Sequence, residues 1–167
     1  MQTDFHHNQL VRAGSSWTKP MVSGLLLADA LADRFRRIVP APYCVSSANG
    51  VLRVESPTVS WTAESHVAEL LGDENALDDD ANGRIVTASW NALSLVQDYI
   101  SETLREPWPS ASHQTVRRRS FFLPNVQIES DALRLWIGDA TNVVLELEPI
   151  DLAELRTATV SPARKLT

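Results

Sequence analysis

One acidic stretch of the chain has the side-chain spacing of a metal site. Counted from Asp78, carboxylates stand at positions 1 and 3, an amide at position 5 and a glycine at position 6, which matches the first two-thirds of an EF-hand calcium loop. Position 12, where such a loop has a bidentate glutamate, is Ser89. The calcium hypothesis therefore has an incomplete ligand set, and its side-chain ligands would be Asp78, Asp80 and Asn82.

The same stretch belongs to an acidic insert over residues 64–88. Its first twenty residues hold seven Asp or Glu and no Lys or Arg. Like charges this close together favour a solvated loop. We expect Asp78, Asp79 and Asp80 to form an acidic recognition patch for a basic protein partner, with weak calcium binding as the alternative.

Catalytic groups do not converge in the sequence. His6 and His7 are adjacent and cannot form the i, i+4 pair of a helical metal site. No neighbouring base would activate the thiol of Cys44. Because catalytic groups assemble in space, a small hydrolase or transferase that sets His66 or His113 against a carboxylate stays an alternative.

Two further patterns bear on enzymatic activity. The six glycines are scattered and form no phosphate-binding loop, which disfavours nucleotide-dependent chemistry. Asp98 and Glu102 stand four apart in a predicted helix, opposite its apolar stripe, and we interpret them as solvent-facing. The sequence therefore favours a protein without enzymatic activity and without a cofactor.

Three aromatic or guanidinium side chains are candidates for contacts with a partner. Trp108 lies between two prolines, and such a rigid loop either displays an aromatic anchor or folds it back over the end of the preceding helix. Arg134 and Trp136 alternate with aliphatic residues in a predicted strand, so they share the face that the helices leave open.

Composition and charge limit the class of partner. The net charge of −6 opposes binding to nucleic acid or to an anionic membrane. Arg117, Arg118 and Arg119 precede two phenylalanines, as in single-strand contacts, but a charged sheet edge is the simpler interpretation. The longest apolar run, 22–32, has about half of the roughly 20 residues that a membrane span needs. We expect neither a nucleic-acid nor a membrane partner. A single cysteine fits a reducing compartment, and we expect a cytoplasmic protein.

Apolar periodicity predicts two long helices and a hairpin. Spacings of four, four and three from Leu27 predict a helix over residues 22–39, and a similar pattern predicts a second over 89–105 with Ser89 as its N-cap. The Asn-Gly pair at 49–50 predicts a two-residue type I′ hairpin whose register gathers the apolar side chains on one face.

Shorter elements complete the prediction. Alternation predicts a third strand at 58–63, and a short helix follows at 65–71. An edge strand at 117–123 precedes a three-stranded meander over 126–147, and one helical turn is expected at 151–155. Together these predict an α+β protein with a mainly antiparallel sheet of about five to seven strands and two long helices on one face. A flexible arm (1–20), one domain (21–156) and a polar tail (157–167) are the expected divisions.

This order of elements resembles that of the small α+β modules of the type III secretion chaperone-like and YbjN-like families. The resemblance rests on the helix from Val22, the hairpin at 49–50, the helix from Ser89 and the meander from Val126, and covers about residues 22–148. It implies a protein-binding module that dimerises. The leading hypothesis is therefore a non-enzymatic protein-interaction module of the adaptor, chaperone-like or immunity type, with a homodimer as one form it could take.

Overall fold

The computed structural model describes residues 21–72, 80–110 and 122–158. These ranges hold four helices and seven strands, and all strand pairs are antiparallel. The predicted α+β class is thereby confirmed. The elements are α1 (Gly24–Arg36), β1 (Cys44–Ala48), β2 (Val51–Glu55), β3 (Ala63–Ser65), α2 (Val67–Leu71), α3 (Ala81–Leu104), β4 (Pro124–Glu129), β5 (Ala132–Asp139), β6 (Asn142–Glu146), β7 (Ile150–Asp151) and α4 (Leu152–Ala158).

The strands form two sheets instead of a single one. Sheet A has the order β1-β2-β3, and sheet B has the order β4-β5-β6 with β7 paired to the same β5 strand. Helix α1 packs on sheet A, while α3 contacts strands of both sheets. The buried apolar side chains of both sheets and of the helices form one hydrophobic cluster.

Helix α1 follows from its apolar face. Leu27, Leu31 and Phe35 are fully buried at spacings of four residues. The helix ends at Arg36, three residues before the predicted end, because the residue before a proline disfavours helical geometry and Pro40 lies close behind.

The hairpin of sheet A has the predicted register. Val45 pairs with Val54, and the turn residues Asn49 and Gly50 have φ of 52° and 77°, as a type I′ turn requires. The turn also docks on α2, where the Ala68 amide donates to the Gly50 carbonyl at 3.0 Å. The Asn-Gly signal was therefore sufficient to fix both the turn and the pairing.

The third strand lies elsewhere than predicted. Residues 58–63 were expected to pair, but β3 covers Ala63–Ser65. Before it, the Ser56 hydroxyl accepts a hydrogen bond from the Thr58 amide at 3.3 Å, and such local side-chain bonds compete with strand pairing. Trp61 consequently stands outside the sheet. The short helix predicted at 65–71 is confirmed as α2.

Helix α3 is eight residues longer at its start than predicted. Asp80, not Ser89, is its N-cap: its Oδ1 accepts from the Gly83 amide at 3.2 Å. Ser89 lies inside the helix and is fully buried. The helix ends at Leu104, and its C-cap Arg105 has a left-handed φ of 58°, two residues before Pro107.

Sheet B is the predicted C-terminal meander. Leu133, Leu135 and Ile137 of β5 are fully buried, so the residues between them point to the opposite side. That side is called here the open face of sheet B, and it carries Asn125, Gln127, Glu129, Arg134, Trp136 and Glu146.

Several predictions fall wholly or partly outside the described residues. These are the arm at 1–20, much of the tail, and residues 117–121 of the expected edge strand; its last two residues, Phe122 and Leu123, are not in a strand. Among the described ranges, no helix combines the length and the apolar character that crossing a bilayer demands.

Candidate binding groove

The solvent side of α3 carries a groove made of two cavities. Leu93, Val96 and Ile100 face the core and are fully buried, so the opposite side of the helix looks outward. Trp90 stands on this side with 46% of its surface exposed and borders both cavities, as do Ser94 and Asp98. We call the two cavities together the α3 groove.

The smaller cavity is aromatic and acidic. It has a volume of about 310 Å³. Trp61, which is 41% exposed, and Trp90 contribute its indole rings, and Tyr99 contributes a phenol ring. The side chains of Asp98 and Glu102 line it from α3. We call it the tryptophan cavity.

Tyr99 holds Trp61 at this cavity although Trp61 lies in a loop. The Tyr99 hydroxyl donates to the Trp61 carbonyl oxygen at 3.0 Å, and the two rings meet edge to face with centroids 4.5 Å apart. Tyr99 itself is 1% exposed, and this burial raises the pKa of its phenol, so the hydroxyl stays protonated as a donor. The cavity wall is therefore fixed before any ligand arrives.

The larger cavity is mainly apolar and has a volume of about 640 Å³. Its walls include Trp108 from the loop after α3, together with Phe122 and Leu123 from the segment before β4. Leu123 is 63% exposed, which is high for a large aliphatic side chain. A pocket of this size and character is typical of sites that enclose apolar groups. We call it the proline cavity, because Pro107 and Pro124 also line it.

Side chains of α3 hold the walls of the proline cavity in place. The Gln97 amide nitrogen donates to the Trp108 carbonyl at 3.2 Å and to the Phe122 carbonyl at 2.7 Å. The Ser101 hydroxyl accepts from the Trp108 amide at 3.0 Å. The Trp90 indole N–H donates to the Pro124 carbonyl at 3.1 Å. Both loop segments are thus tied to the same helix.

The carboxylates of the tryptophan cavity have no polar partner within the described part of the chain. Asp98 and Glu102 are exposed, as predicted, and neither carboxylate forms a hydrogen bond or an ion pair with another residue in the described ranges. They stand four residues apart on α3, where like charges disfavour each other by a few tenths of a kcal/mol. A cation between them would remove this repulsion.

The predicted contact residues lie in two separate places. Trp108 is 8% exposed and packs back towards α3, which is the second of the two arrangements predicted for the proline-flanked loop, and it forms a wall of the proline cavity. Arg134 and Trp136 lie on the open face of sheet B, with the guanidinium carbon 6.0 Å from the indole centroid. The structure does not bring Trp108 together with these two residues in one site.

Arg134 is occupied by neighbouring carboxylates. Its guanidinium bonds to Glu146 at 2.5 Å and lies 3.6 Å from Glu129. The hydrogen bond that the guanidinium donates to Glu146 is the main cause that raises the pKa of Arg134. Trp136 is half-buried, and its indole N–H has no hydrogen-bond partner within the described part of the chain.

The residues proposed as a calcium-binding loop do not form a continuous loop, because α3 begins at Ala81. Asn82 and Gly83 lie in the first turn of α3, so the second half of the supposed loop is helical, and Asp80 is engaged as its N-cap. Asp78 and Asp79 lie outside the described residues, and their role as ligands or as an acidic patch stays a prediction. Across 21–72, 80–110 and 122–158, no group of three or more His, Cys, Asp or Glu side chains could hold a metal ion.

The histidine chemistry considered from the sequence has no enclosed site here. The His66 imidazole lies 3.7 Å from the Glu69 carboxylate, but both side chains are exposed and neither lines the α3 groove. His113 and the run Arg117–Arg119 fall outside the described residues.

Sequence reasoning missed the aromatic part of the groove. Trp61 lies within the strand that alternation predicts at 58–63, and Trp90 lies one turn before the apolar stripe of the second predicted helix, so neither is among the predicted contact residues. The available signal was the helical phase: Trp90 lies beyond the edge of the stripe that Leu93, Val96 and Ile100 define. The approach of Trp61 to Asp98 and Glu102 depends on long-range packing and has no signal in the sequence.

No protein-family model, curated protein or solved structure shows a significant match to this chain. The functional conclusion therefore depends on the residues and geometry described above.

Proposed function

We propose that the protein is a non-enzymatic protein-interaction module that binds an amphipathic segment of a partner protein in the α3 groove. The observation that carries this proposal is the pair of adjoining cavities, preformed and separated by the half-exposed Trp90. Tryptophan is one of the residue types enriched at binding hot spots, which cluster near the centre of an interface.

The shape of the groove favours a helical or extended segment with two side-chain anchors. Recognition of this kind places anchors at regular spacing into successive apolar pockets. The proline cavity would take an apolar anchor because its walls include Trp108, Phe122 and Leu123. Exposed Leu104 (41%) extends the apolar surface near the end of α3.

Charge favours a basic partner. Asp98 and Glu102 line the groove without a polar partner among residues 21–72, 80–110 and 122–158, and the chain as a whole has a net charge of −6. The acidic residues Asp78, Asp79 and Asp80 would extend the same preference along the chain. The resemblance to chaperone-like modules and the cytoplasmic address expected from the single cysteine agree with this role.

Peptide display on the full-length chain tests the proposal. We expect enriched peptides to combine apolar residues at regular spacing with Lys or Arg. Trp90→Ala should weaken their binding by at least about thirtyfold, the cost of losing a hot spot. Trp136→Ala is the matched control on the open face of sheet B, and it should leave affinity within about twofold.

A second variant guards against loss of folding in Trp90→Ala. Ser94→Arg places a long side chain between the two cavities without touching the buried face of α3. It should block the same peptides. If peptides bind equally well to the wild type and to both groove variants, the groove is not the binding site. If instead sedimentation shows a dimer that Trp90→Ala dissociates, a second copy of the chain occupies the groove and the heterologous partner is wrong.

A further inference from the structure

We infer that the tryptophan cavity is a recognition site for one arginine side chain of the bound partner. This inference rests on the proposed function and assigns a role to one half of the groove. It is carried by one small cavity that combines aromatic residues with two carboxylates for which the described segments hold no polar partner.

The aromatic rings supply the apolar part of such a site. Trp61 and Trp90 contribute indole rings to a common cavity, and each is less than half exposed. The faces of indole rings attract cations more strongly than those of the other aromatic residues, and a planar guanidinium stacks on them. Because Tyr99 fixes Trp61 through a hydrogen bond and an edge-to-face contact, this wall need not be ordered on binding.

The carboxylates supply the charge. Asp98 and Glu102 lie one helical turn apart and line the same cavity. A guanidinium has five N–H donors in a rigid fork and can bond to two carboxylates at once, whereas an ammonium group acts as a point charge. The pair of acids therefore favours arginine over lysine.

The size of the cavity limits the ligand to a single side chain. About 310 Å³ is at the lower end of the range for small-molecule pockets, roughly 300–1,000 Å³. The neighbouring proline cavity is about twice as large and mainly apolar, so the two halves of the groove would select different side chains of the same segment. Arginine and an apolar residue in one amphipathic segment satisfy both.

Titration with N-acetyl-arginine amide and its neutral analogue N-acetyl-citrulline amide tests the inference. Indole N–H signals of the five tryptophans report the position, with Trp61→Phe and Trp90→Phe to assign them. We expect arginine amide to shift the Trp61 and Trp90 signals but not that of Trp136. Citrulline amide should bind about tenfold more weakly, because it lacks the charge-assisted hydrogen bonds.

A double variant locates the charge that discriminates. Asp98→Asn with Glu102→Gln should reduce the preference for the arginine amide from about tenfold to less than about threefold, and attraction of the cation to the indole faces accounts for what remains. The matched control, Glu129→Gln with Glu146→Gln, removes the same charge from the open face of sheet B and should retain the tenfold preference. Equal binding of both amides to the wild type, or a preference above about threefold in the cavity double variant, overturns the inference.

The outcomes separate this inference from the proposed function. Peptides that bind the groove without a basic residue, together with equal binding of the two amides, would remove the arginine site and leave the interaction module intact. If the arginine amide binds selectively but no peptide binds the groove, the arginine site stands and the proposed interaction module is wrong.

Discussion

The α3 groove and the open face of sheet B both place tryptophan beside charged side chains, yet they differ in how those charges are used. On sheet B, the Arg134 guanidinium lies over Trp136 and is neutralised by Glu146 and Glu129. In the groove, the carboxylates of Asp98 and Glu102 have no hydrogen-bond or ion-pair partner among the described residues. The tryptophans of the groove border cavities.

This difference shows why residue type alone is a poor guide to a binding surface. Exposed ion pairs that are already formed contribute little to stability and leave no charge for a ligand. A concave surface with uncommitted carboxylates offers both shape and charge. Sequence reasoning chose Arg134 and Trp136 because their alternation was visible, whereas the groove depends on residues up to 63 positions apart, from Trp61 to Pro124.

The largest expected changes in the free energy of unfolding come from the buried sides of α3 and β5. They test whether the elements that carry the two surfaces are equally well packed. Leu93→Ala beneath the groove and Leu135→Ala beneath the open face each remove a fully buried side chain. Each should lower the free energy of unfolding by about 2–5 kcal/mol in urea titrations with an unchanged m-value. A loss below about 1 kcal/mol for either variant would mean that its element is not packed as described.

An intermediate effect tests whether the groove is held by its own hydrogen bonds. Gln97→Leu leaves the carbonyls of Trp108 and Phe122 without their partner and should lower stability by about 1–3 kcal/mol. The matched control is Gln127→Leu on the open face of sheet B, which is exposed and should change stability by less than about 0.5 kcal/mol. Urea unfolding measures both. Indistinguishable midpoints for the two variants would contradict the proposed bracing of the proline cavity.

The smallest expected effect on stability compares Asp139, whose carboxylate accepts hydrogen bonds, with Asp98, whose carboxylate accepts none from a described residue. Hydrogen bonds from the Thr141 hydroxyl and the backbone amides of Asn142 and Thr141 lower the pKa of Asp139 below its ordinary value of 3.8. A carboxyl group whose folded pKa is lowered stabilises the protein above its ordinary pKa, and this contribution is lost as the pH falls through the folded pKa.

The unfolding temperature, measured from neutral pH down to below the ordinary pKa of 3.8, tests this contribution. Asp139→Ala should unfold at a lower temperature than the wild type at neutral pH, and the gap should narrow as the pH falls below 3.8. Asp98→Ala should not lower the unfolding temperature at neutral pH, because no described residue bonds to its carboxylate and its removal relieves the repulsion from Glu102. A pH-independent gap for Asp139→Ala would show that the hydrogen bonds act without the charge.

Much of the fold was predictable because its signals are local. The Asn-Gly turn set the register of β1 and β2 through the two left-handed φ angles that it supplies. The alternation of Leu133, Leu135 and Ile137 identified both the strand and its buried side. Errors arose where two local signals competed: Ser89 had the type of an N-cap, but Asp80 had already capped the helix.

By itself, the sequence determined the α+β class, the antiparallel hairpins and the inward faces of the helices, since turn residues and apolar periodicity act over a few neighbouring positions. Tertiary structure alone decided that the strands divide into two sheets with α3 in contact with both, and that Trp61, Trp90, Asp98 and Glu102 share one cavity. The physical reason is that a cavity is the space left between elements after they pack, and no short-range pattern encodes the distance between side chains that belong to different elements.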